Sequence, residues 1–164
     1  MDILSRLKNN NEVIMKKDLL PNVLNNFWNW IHLTPQAYAA ISRQQEAQEL
    51  EEYMFPFWQT MMSETINLIN DSPTNEETID SILTVMAIDN EAENILDYIA
   101  QNGKESFICR LIEIGVEHLQ PHARWQCAEL IQRCKPVNGD TMLSKLLSDP
   151  DDYVRKRAQN VLTH

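Results

Sequence analysis

Apolar residues recur at helical spacing along most of the chain. In the first half, stripes with a spacing of three or four residues cover positions 20–31, 38–54 and 57–69. The second half carries shorter stripes of the same period, and no stretch alternates convincingly with period two. With only 3 glycines, the chain has little material for tight β-turns. The pattern therefore predicts an all-α protein in which each helix buries one face.

Residues that start and stop helices lie between these stripes. Thr34 before Pro35 offers a capping hydroxyl followed by proline at the first helical position. Thr74 and Glu77 have the spacing of a capping box, which predicts a second helix start. Pro56 is expected to kink or break the stripe that precedes it.

The apolar pattern of the last helices repeats after about thirty-one residues. Val154-Arg155 matches Ala123-Arg124, together with the apolar positions that follow each pair. A further shift by thirty-one residues reaches Ala92-Glu93, where glutamate replaces arginine. Helix-pair repeats of this length indicate an α-solenoid, in which each pair buries its apolar face against the next.

The clearest unit ends the chain. Its turn contains Asp149-Pro150, and Val154-Arg155 opens its second helix. The unit resembles a HEAT repeat of the short bacterial type, and the resemblance is clear over 105–164. In that family the turn aspartate and the arginine serve packing and capping between repeats, which implies structural roles for Asp149, Arg155 and Arg124.

The resemblance also implies an architecture for the whole chain. It is an α-solenoid of antiparallel helix pairs within a single domain, residues 1–164. About three HEAT-like pairs occupy 71–164, and 1–70 form a divergent helical N-terminal portion. The family implies a curved binding scaffold, usually without catalysis.

Charge is distributed very unevenly. The sixty residues 44–103 contain thirteen carboxylates and no lysine, arginine or histidine, within a chain of net charge −10. Such a field attracts basic partners and repels nucleic acid and anionic membranes. We therefore expect an acidic partner-binding face formed by Glu46, Glu49, Glu51, Glu52, Glu76, Glu77, Asp80, Glu91, Glu93 and Asp97. The alternative is a solvated surface that keeps the protein soluble.

Aromatic residues are concentrated in the first third of the chain. Most of them fall on apolar stripes and are expected in the core. Trp30 and Phe55 fall off those stripes, so both are candidates for exposed aromatic anchors in an interface.

One enzymatic alternative rests on carboxylate spacing. All-α nucleotide pyrophosphohydrolases of the MazG type bind Mg²⁺ through Glu-Glu-x-x-Glu and a later Glu-x-x-Asp. The chain is similar at Glu76-Glu77-x-x-Asp80 and at Glu93-x-x-x-Asp97. Aspartate shortens the reach of the first motif, and the second has one residue too many. We expect no catalytic residues and no cofactor.

A zinc site is the other alternative. His118 and His122 are four residues apart, upstream of Cys127 and Cys134. Pro121 lies between the histidines, which predicts a turn rather than a continuous helix, and the cysteines lack knuckle spacing. We expect free, reduced thiols and no bound metal.

These observations favour a cytoplasmic protein. The chain has no apolar run of membrane-spanning length, and Asn9 to Asn11 interrupt the start before a signal-peptide core develops. We expect a non-catalytic, acidic module, monomeric and bacterial, that binds a basic protein. Its most specific version is an immunity protein that neutralises a toxin such as a nuclease. A general scaffold or assembly factor, and a Mg²⁺-dependent hydrolase, are the alternatives.

Overall fold

The computed structural model describes residues 19–41 and 50–164. Within those ranges the chain is entirely helical and contains no strand, so the predicted all-α class is confirmed. One short 3₁₀ helix covers Glu52–Met54. The nine α-helices of the described ranges are α1 (Leu19–Ile31), α2 (Pro35–Ile41), α3 (Trp58–Asn70), α4 (Glu76–Ile88), α5 (Asn94–Asn102), α6 (Glu105–Gly115), α7 (Pro121–Cys134), α8 (Gly139–Leu146) and α9 (Asp152–Thr163).

The helix starts agree only in part with the sequence. The Thr34 hydroxyl accepts a hydrogen bond from the Ala37 amide at 3.1 Å, and α2 begins at Pro35, as predicted. The capping box at Thr74 is wrong by one residue. Asn75 is extended and its side chain accepts from the Thr78 amide at 2.8 Å, so α4 begins at Glu76.

The stripe before Pro56 is not one helix. Helix α2 ends at Ile41, and the described chain resumes at residue 50 with two non-helical residues before the 3₁₀ turn. A second turn then leads through Pro56 to the start of α3. Tyr53 and Met54, expected on an apolar helical stripe, are exposed as a result.

The core lies along α4 and α7. Helix α4 packs against α1, α3, α5, α6 and α7, while α7 packs against α4, α5, α6, α8 and α9. Both helices are buried on most of their circumference, as expected for helices covered from several sides. The Gln126 side chain of α7 donates to the Met86 carbonyl at 2.7 Å, which satisfies an orphan carbonyl at the end of α4.

Each helix from α4 to α7 contacts the helix two places further along the chain. Helix α4 contacts α6 and α6 contacts α8, while α5 contacts α7 and α7 contacts α9. Consecutive helices α4–α5, α6–α7 and α8–α9 also pack together. The order extends towards the N-terminus, because α1 contacts both α3 and α4, and α3 contacts α5.

The two repeat arginines make the same contact. Arg155 Nη1 donates to the Asp149 carbonyl at 2.5 Å, and Arg124 Nη1 donates to the His118 carbonyl at 2.8 Å. Asp149 and His118 are themselves equivalent. The Asp149 carboxylate accepts from the amide two residues ahead at 2.9 Å, and His118 Nδ1 does the same at 3.1 Å. Arg124, Asp149 and Arg155 therefore make the structural contacts expected from the sequence.

The third copy is displaced from its predicted register. Ala92 is exposed in the turn before α5, whereas Ala123 and Val154 are the buried third residues of their helices. Leu96 takes that place in α5, only twenty-seven residues before Ala123. Glu93 precedes the helix in a left-handed conformation (φ 55°) and cannot donate the hydrogen bond that the arginines provide.

Candidate functional site

Helix α4 divides the described acidic residues into two groups. Glu76, Glu77 and Asp80 lie in its first two turns, whereas Asp89 and Glu91 follow its C-terminus. The helix has 13 residues and is about 20 Å long at 1.5 Å per residue. The carboxylates therefore do not form one compact face. Glu46 and Glu49 lie outside the described residues.

The N-terminal group has local structural roles. Glu76 and Glu77 occupy the first turn of α4, where carboxylates are stabilised by the helix dipole. Asp80 accepts from His118 Nε2 at 3.2 Å. Since His118 Nδ1 accepts from the Gln120 amide, we assign the ring proton to Nε2.

Two predicted residues are paired by a distant cation. Arg133 of α7 contacts Asp97 at 2.6 Å and Glu93 at 3.5 Å. The acidic segment contains no cation, so its sequence alone gave no sign of this pairing. Glu93 and Asp97 are therefore partly neutralised within the fold.

The C-terminal group borders a cavity of about 170 Å³. Its lining is Glu52, Tyr53, Trp58, Ile88, Asp89, Glu91 and Ala92. Three of these side chains are carboxylates, two are aromatic, and none is a cation. No ion pair joins Glu51 or Glu91 to another residue of the described ranges.

Burial perturbs the acids of this cavity. Burial raises the pKa of Asp89 to about 6, although its carboxylate accepts from the Ile95 amide at 2.9 Å. Burial also raises the pKa of Glu52, which accepts a hydrogen bond from the Tyr38 hydroxyl at 2.8 Å. The negative charge of Glu91 raises the pKa of Glu52 further. In both acids burial therefore shifts the balance towards the neutral form relative to a free carboxyl group, and a nearby cation would oppose that shift.

The two candidate aromatic anchors have different environments. Trp30 is 36 % exposed and remains a candidate. Phe55 is 3 % exposed, so the expectation that it is an exposed anchor is wrong. Its ring packs edge-on against Phe27 at a centroid distance of 5.4 Å, because the turn before α3 directs it into the core.

Sequence reasoning missed three exposed residues beside it. Tyr53, Met54 and Phe57 are 60 %, 58 % and 52 % exposed. The available signal was the run from Tyr53 to Phe57, which has four large apolar residues in five positions. Such a run cannot place every side chain on one face of a helix.

The magnesium arrangement is not assembled. Glu76, Glu77 and Asp80 lie at the opposite end of α4 from Glu93 and Asp97. Among the residues that the structure describes, no three His, Cys, Asp or Glu side chains form a group able to hold a metal ion.

The residues of the zinc alternative also have other contacts. His122 Nδ1 accepts from the Trp125 indole at 3.0 Å, and burial lowers the pKa of this histidine. Cys127 is fully buried, which raises the pKa of its thiol to about 12. All three cysteines are free. His118, as described, contacts Asp80 and the Gln120 amide.

Two arginines of α9, Arg155 and Arg157, are paired within the fold. Arg155 pairs with Asp152 as well as with the Asp149 carbonyl. Arg157 pairs with Glu129 at 2.6 Å, and its guanidinium lies 4.4 Å from the centre of the Trp125 ring. In the ranges 19–41 and 50–164, no helix combines the length and apolar character needed to cross a lipid bilayer.

Comparison of the chain with protein-family models, with characterised proteins and with solved structures gives no significant match. Its function must therefore be inferred from its own residues.

Proposed function

We propose that this chain is a non-catalytic, HEAT-like α-solenoid that binds a basic protein through its acidic surface. The specific role that we propose is that of an immunity protein, which neutralises a toxin such as a nuclease. A general scaffold with several partners is the alternative for the same surface.

Two structural observations support the solenoid. Each helix from α4 to α7 contacts the helix two places further along the chain, as happens when helix pairs stack on one another. Arg124 and Arg155 also repeat one contact at a spacing of thirty-one residues. The contacts of α1 and α3 favour an extension of the stack to the first described helix.

The observation that carries the binding role is the set of exposed carboxylates without a cation. Glu51, Glu76, Glu77 and Glu91 are exposed and form no ion pair with any other residue in the described part of the chain. An uncompensated negative surface complements the positive surface by which a nuclease holds its substrate. Charge complementarity of this kind gives fast, salt-sensitive association.

A capture experiment with two matched variants tests the proposal. The chain is immobilised on a resin and incubated at low salt with lysate of its source cell. Bound proteins are eluted with rising salt and identified by mass spectrometry. The test variant changes Glu51, Glu76, Glu77 and Glu91 to glutamine. The control variant changes the same number of exposed carboxylates outside the acidic segment: Glu105→Gln, Glu113→Gln, Glu117→Gln and Asp140→Asn.

We expect one stoichiometric basic protein, retained by the wild type and the control and lost by the test variant. Equal loss in both variants means that only the total charge matters. Several weakly bound proteins would favour the scaffold, and no basic protein would contradict the proposal. Thermal unfolding of each variant shows whether the folded state is kept.

A further inference from the structure

Three exposed apolar side chains belong to the segment that borders the acidic cavity. Tyr53, Met54 and Phe57 project from the turns between α2 and α3, while Tyr53 also lines the cavity. We call these three residues and the cavity lined by Glu52, Trp58, Asp89 and Glu91 the aromatic–acidic patch. Large exposed apolar side chains grouped in this way are typical of interaction sites.

The patch is held by the core. Phe55 packs against Phe27 on its inner side, and its ring also lies 5.7 Å from the Phe57 ring. Trp30 contacts Phe55 at a centroid distance of 5.5 Å. The Tyr38 hydroxyl donates to Glu52. These contacts fix the patch before a partner arrives, which lowers the entropic cost of binding.

Electrostatics at the patch are one-sided. Ile88, the last residue of α4, lines the cavity, so the negative end of the helix dipole lies beside it. Glu91 adds a carboxylate at the place where helix dipoles favour a cation. By contrast, Glu76 and Glu77 lie at the N-terminus of α4, where the helix dipole stabilises a carboxylate. Glu93 and Asp97 form ion pairs with Arg133. Within the patch, Glu52 and Asp89 accept hydrogen bonds from Tyr38 and the Ile95 amide, whereas Glu91 has no ion-pair partner among the described residues.

The size and the lining of the cavity fit a guanidinium group. A cavity needs roughly 10–15 Å³ to hold one water molecule, so about 170 Å³ is ample for the four heavy atoms of a guanidinium group. Trp58 and Tyr53 provide aromatic faces on which a planar cation can stack. Glu52, Asp89 and Glu91 provide the acceptors.

We propose that the aromatic–acidic patch is the docking site of the basic partner, and that one arginine side chain of the partner enters the cavity beside Trp58 and Glu91. Tyr53, Met54 and Phe57 then cover the apolar surface around that arginine. This inference rests on the proposed function, and it places the arginine of the partner at the C-terminal end of α4.

A small probe tests the patch without the partner. The chain labelled with ¹⁵N is titrated with Nα-acetyl-arginine amide while the indole N–H signal of Trp58 is followed by NMR. Nα-acetyl-citrulline amide is the neutral isosteric control probe. We expect saturable movement of the Trp58 signal with the arginine probe and none with citrulline.

Matched variants locate the effect. Glu91→Gln and Tyr53→Ala should each raise the dissociation constant of the arginine probe about fivefold, the size of one cation–π or ion-pair contact. Glu105→Gln removes the same charge at the start of α6, outside the acidic segment, and Leu162→Ala removes an exposed apolar side chain of α9. Both should change the constant by less than about twofold.

Three results would overturn the assignment of the patch as the docking site. They are a stationary Trp58 signal, equal weakening of probe binding by Glu91→Gln and Glu105→Gln, or tighter probe binding by Arg43→Gln. The last would mean that an arginine of this chain itself, from outside the described residues, occupies the cavity. The capture experiment is independent of all three. A captured basic protein that is insensitive to Glu91→Gln would retain the proposed function and reject this site, whereas the absence of any captured protein rejects the function.

Discussion

Arg124 and Asp149 form a two-pronged ion pair inside the protein. Arg124 Nε and Nη2 donate to the two carboxylate oxygens at 2.8 and 3.1 Å, and the side chains are only 7 % and 4 % exposed. The pair joins α7 to the turn before α9. Arg124 also donates to the His118 and Leu119 carbonyls, so one guanidinium connects two successive turns.

Breaking this pair should destabilise the fold strongly. Arg124→Met leaves the Asp149 carboxylate buried and unpaired, which costs about 3–5 kcal/mol. Asp149→Leu leaves the Arg124 guanidinium buried without its carboxylate partner. The free energy of unfolding, measured with urea and circular dichroism, gives the loss for each variant.

The double variant Arg124→Met with Asp149→Leu provides the control. Because no unpaired charge remains, it should recover part of the stability that either single change removes. Single changes that each cost less than about 1 kcal/mol, or costs that simply add in the double variant, would contradict a buried, coupled pair.

Gly115 marks a close approach between helices. A Cβ atom at this position would lie within 2.9 Å of a Leu83 methyl group and overlap the Cys127 sulfur. Both neighbours are fully buried and have little room to move. We expect Gly115→Ala to lower the free energy of unfolding by about 1–3 kcal/mol through overpacking.

Gly139→Ala is the matched control for that change. Its added methyl would lie 3.3 Å from the Ile131 side chain, a tight contact but not an overlap. Higher helix propensity should offset this contact and leave the change close to neutral. Equal effects of the two substitutions would show that packing around Gly115 is looser than the structure indicates.

Asp89 should give the protein a specific pH dependence. Its pKa rises from 3.8 to about 6 on folding. A raised folded pKa means that its stabilising contribution is complete below pH 3.8 and is lost as the pH rises through about 6. Asp89→Asn keeps an oxygen for the Ile95 amide but cannot ionise.

The stability of the wild type relative to Asp89→Asn should therefore fall by up to about 3 kcal/mol between pH 4 and pH 7.5. Urea unfolding of both proteins at four pH values measures the difference. Asp140→Asn, a change in an exposed carboxylate of α8, controls for net charge. A constant difference across the pH range would contradict a perturbed Asp89.

Local patterns predicted the helices well but placed some boundaries wrongly. Periodicity and the Thr34-Pro35 signal concern neighbours in sequence, and they predicted α2 and the all-α class. Asn75 prevailed over Thr74 because the chain is already extended at Asn75. The turns around Pro56 expose Tyr53 and Phe57 and bury Phe55. Helical periodicity cannot predict this arrangement, because these residues are not in one helix.

Charge pairing was much harder to predict than helices. Asp97 and Arg133 are thirty-six residues apart and meet only because α5 packs against α7. A count of charges within the acidic segment therefore overstated the number of carboxylates that lack a cation partner. Likewise, the cavity combines Glu52 with Glu91, which lie in separate elements of the chain.

Association with the captured basic protein should be controlled by charge. The association rate constant, measured by stopped flow at several salt concentrations, should fall steeply as salt rises. Changing Glu51, Glu76, Glu77 and Glu91 to glutamine should lower that rate about tenfold or more at low salt. The dissociation rate should change less than the association rate. A salt-independent association rate would contradict electrostatic steering.

Growth of cells that express the captured protein tests the central claim most directly. The captured protein is expressed alone, with the wild-type chain, or with the variant that lacks the four exposed carboxylates. We predict that it arrests growth alone, that the wild type restores growth, and that the variant does not. Normal growth without the chain, or equal rescue by wild type and variant, would contradict the proposal that this acidic surface neutralises a toxin.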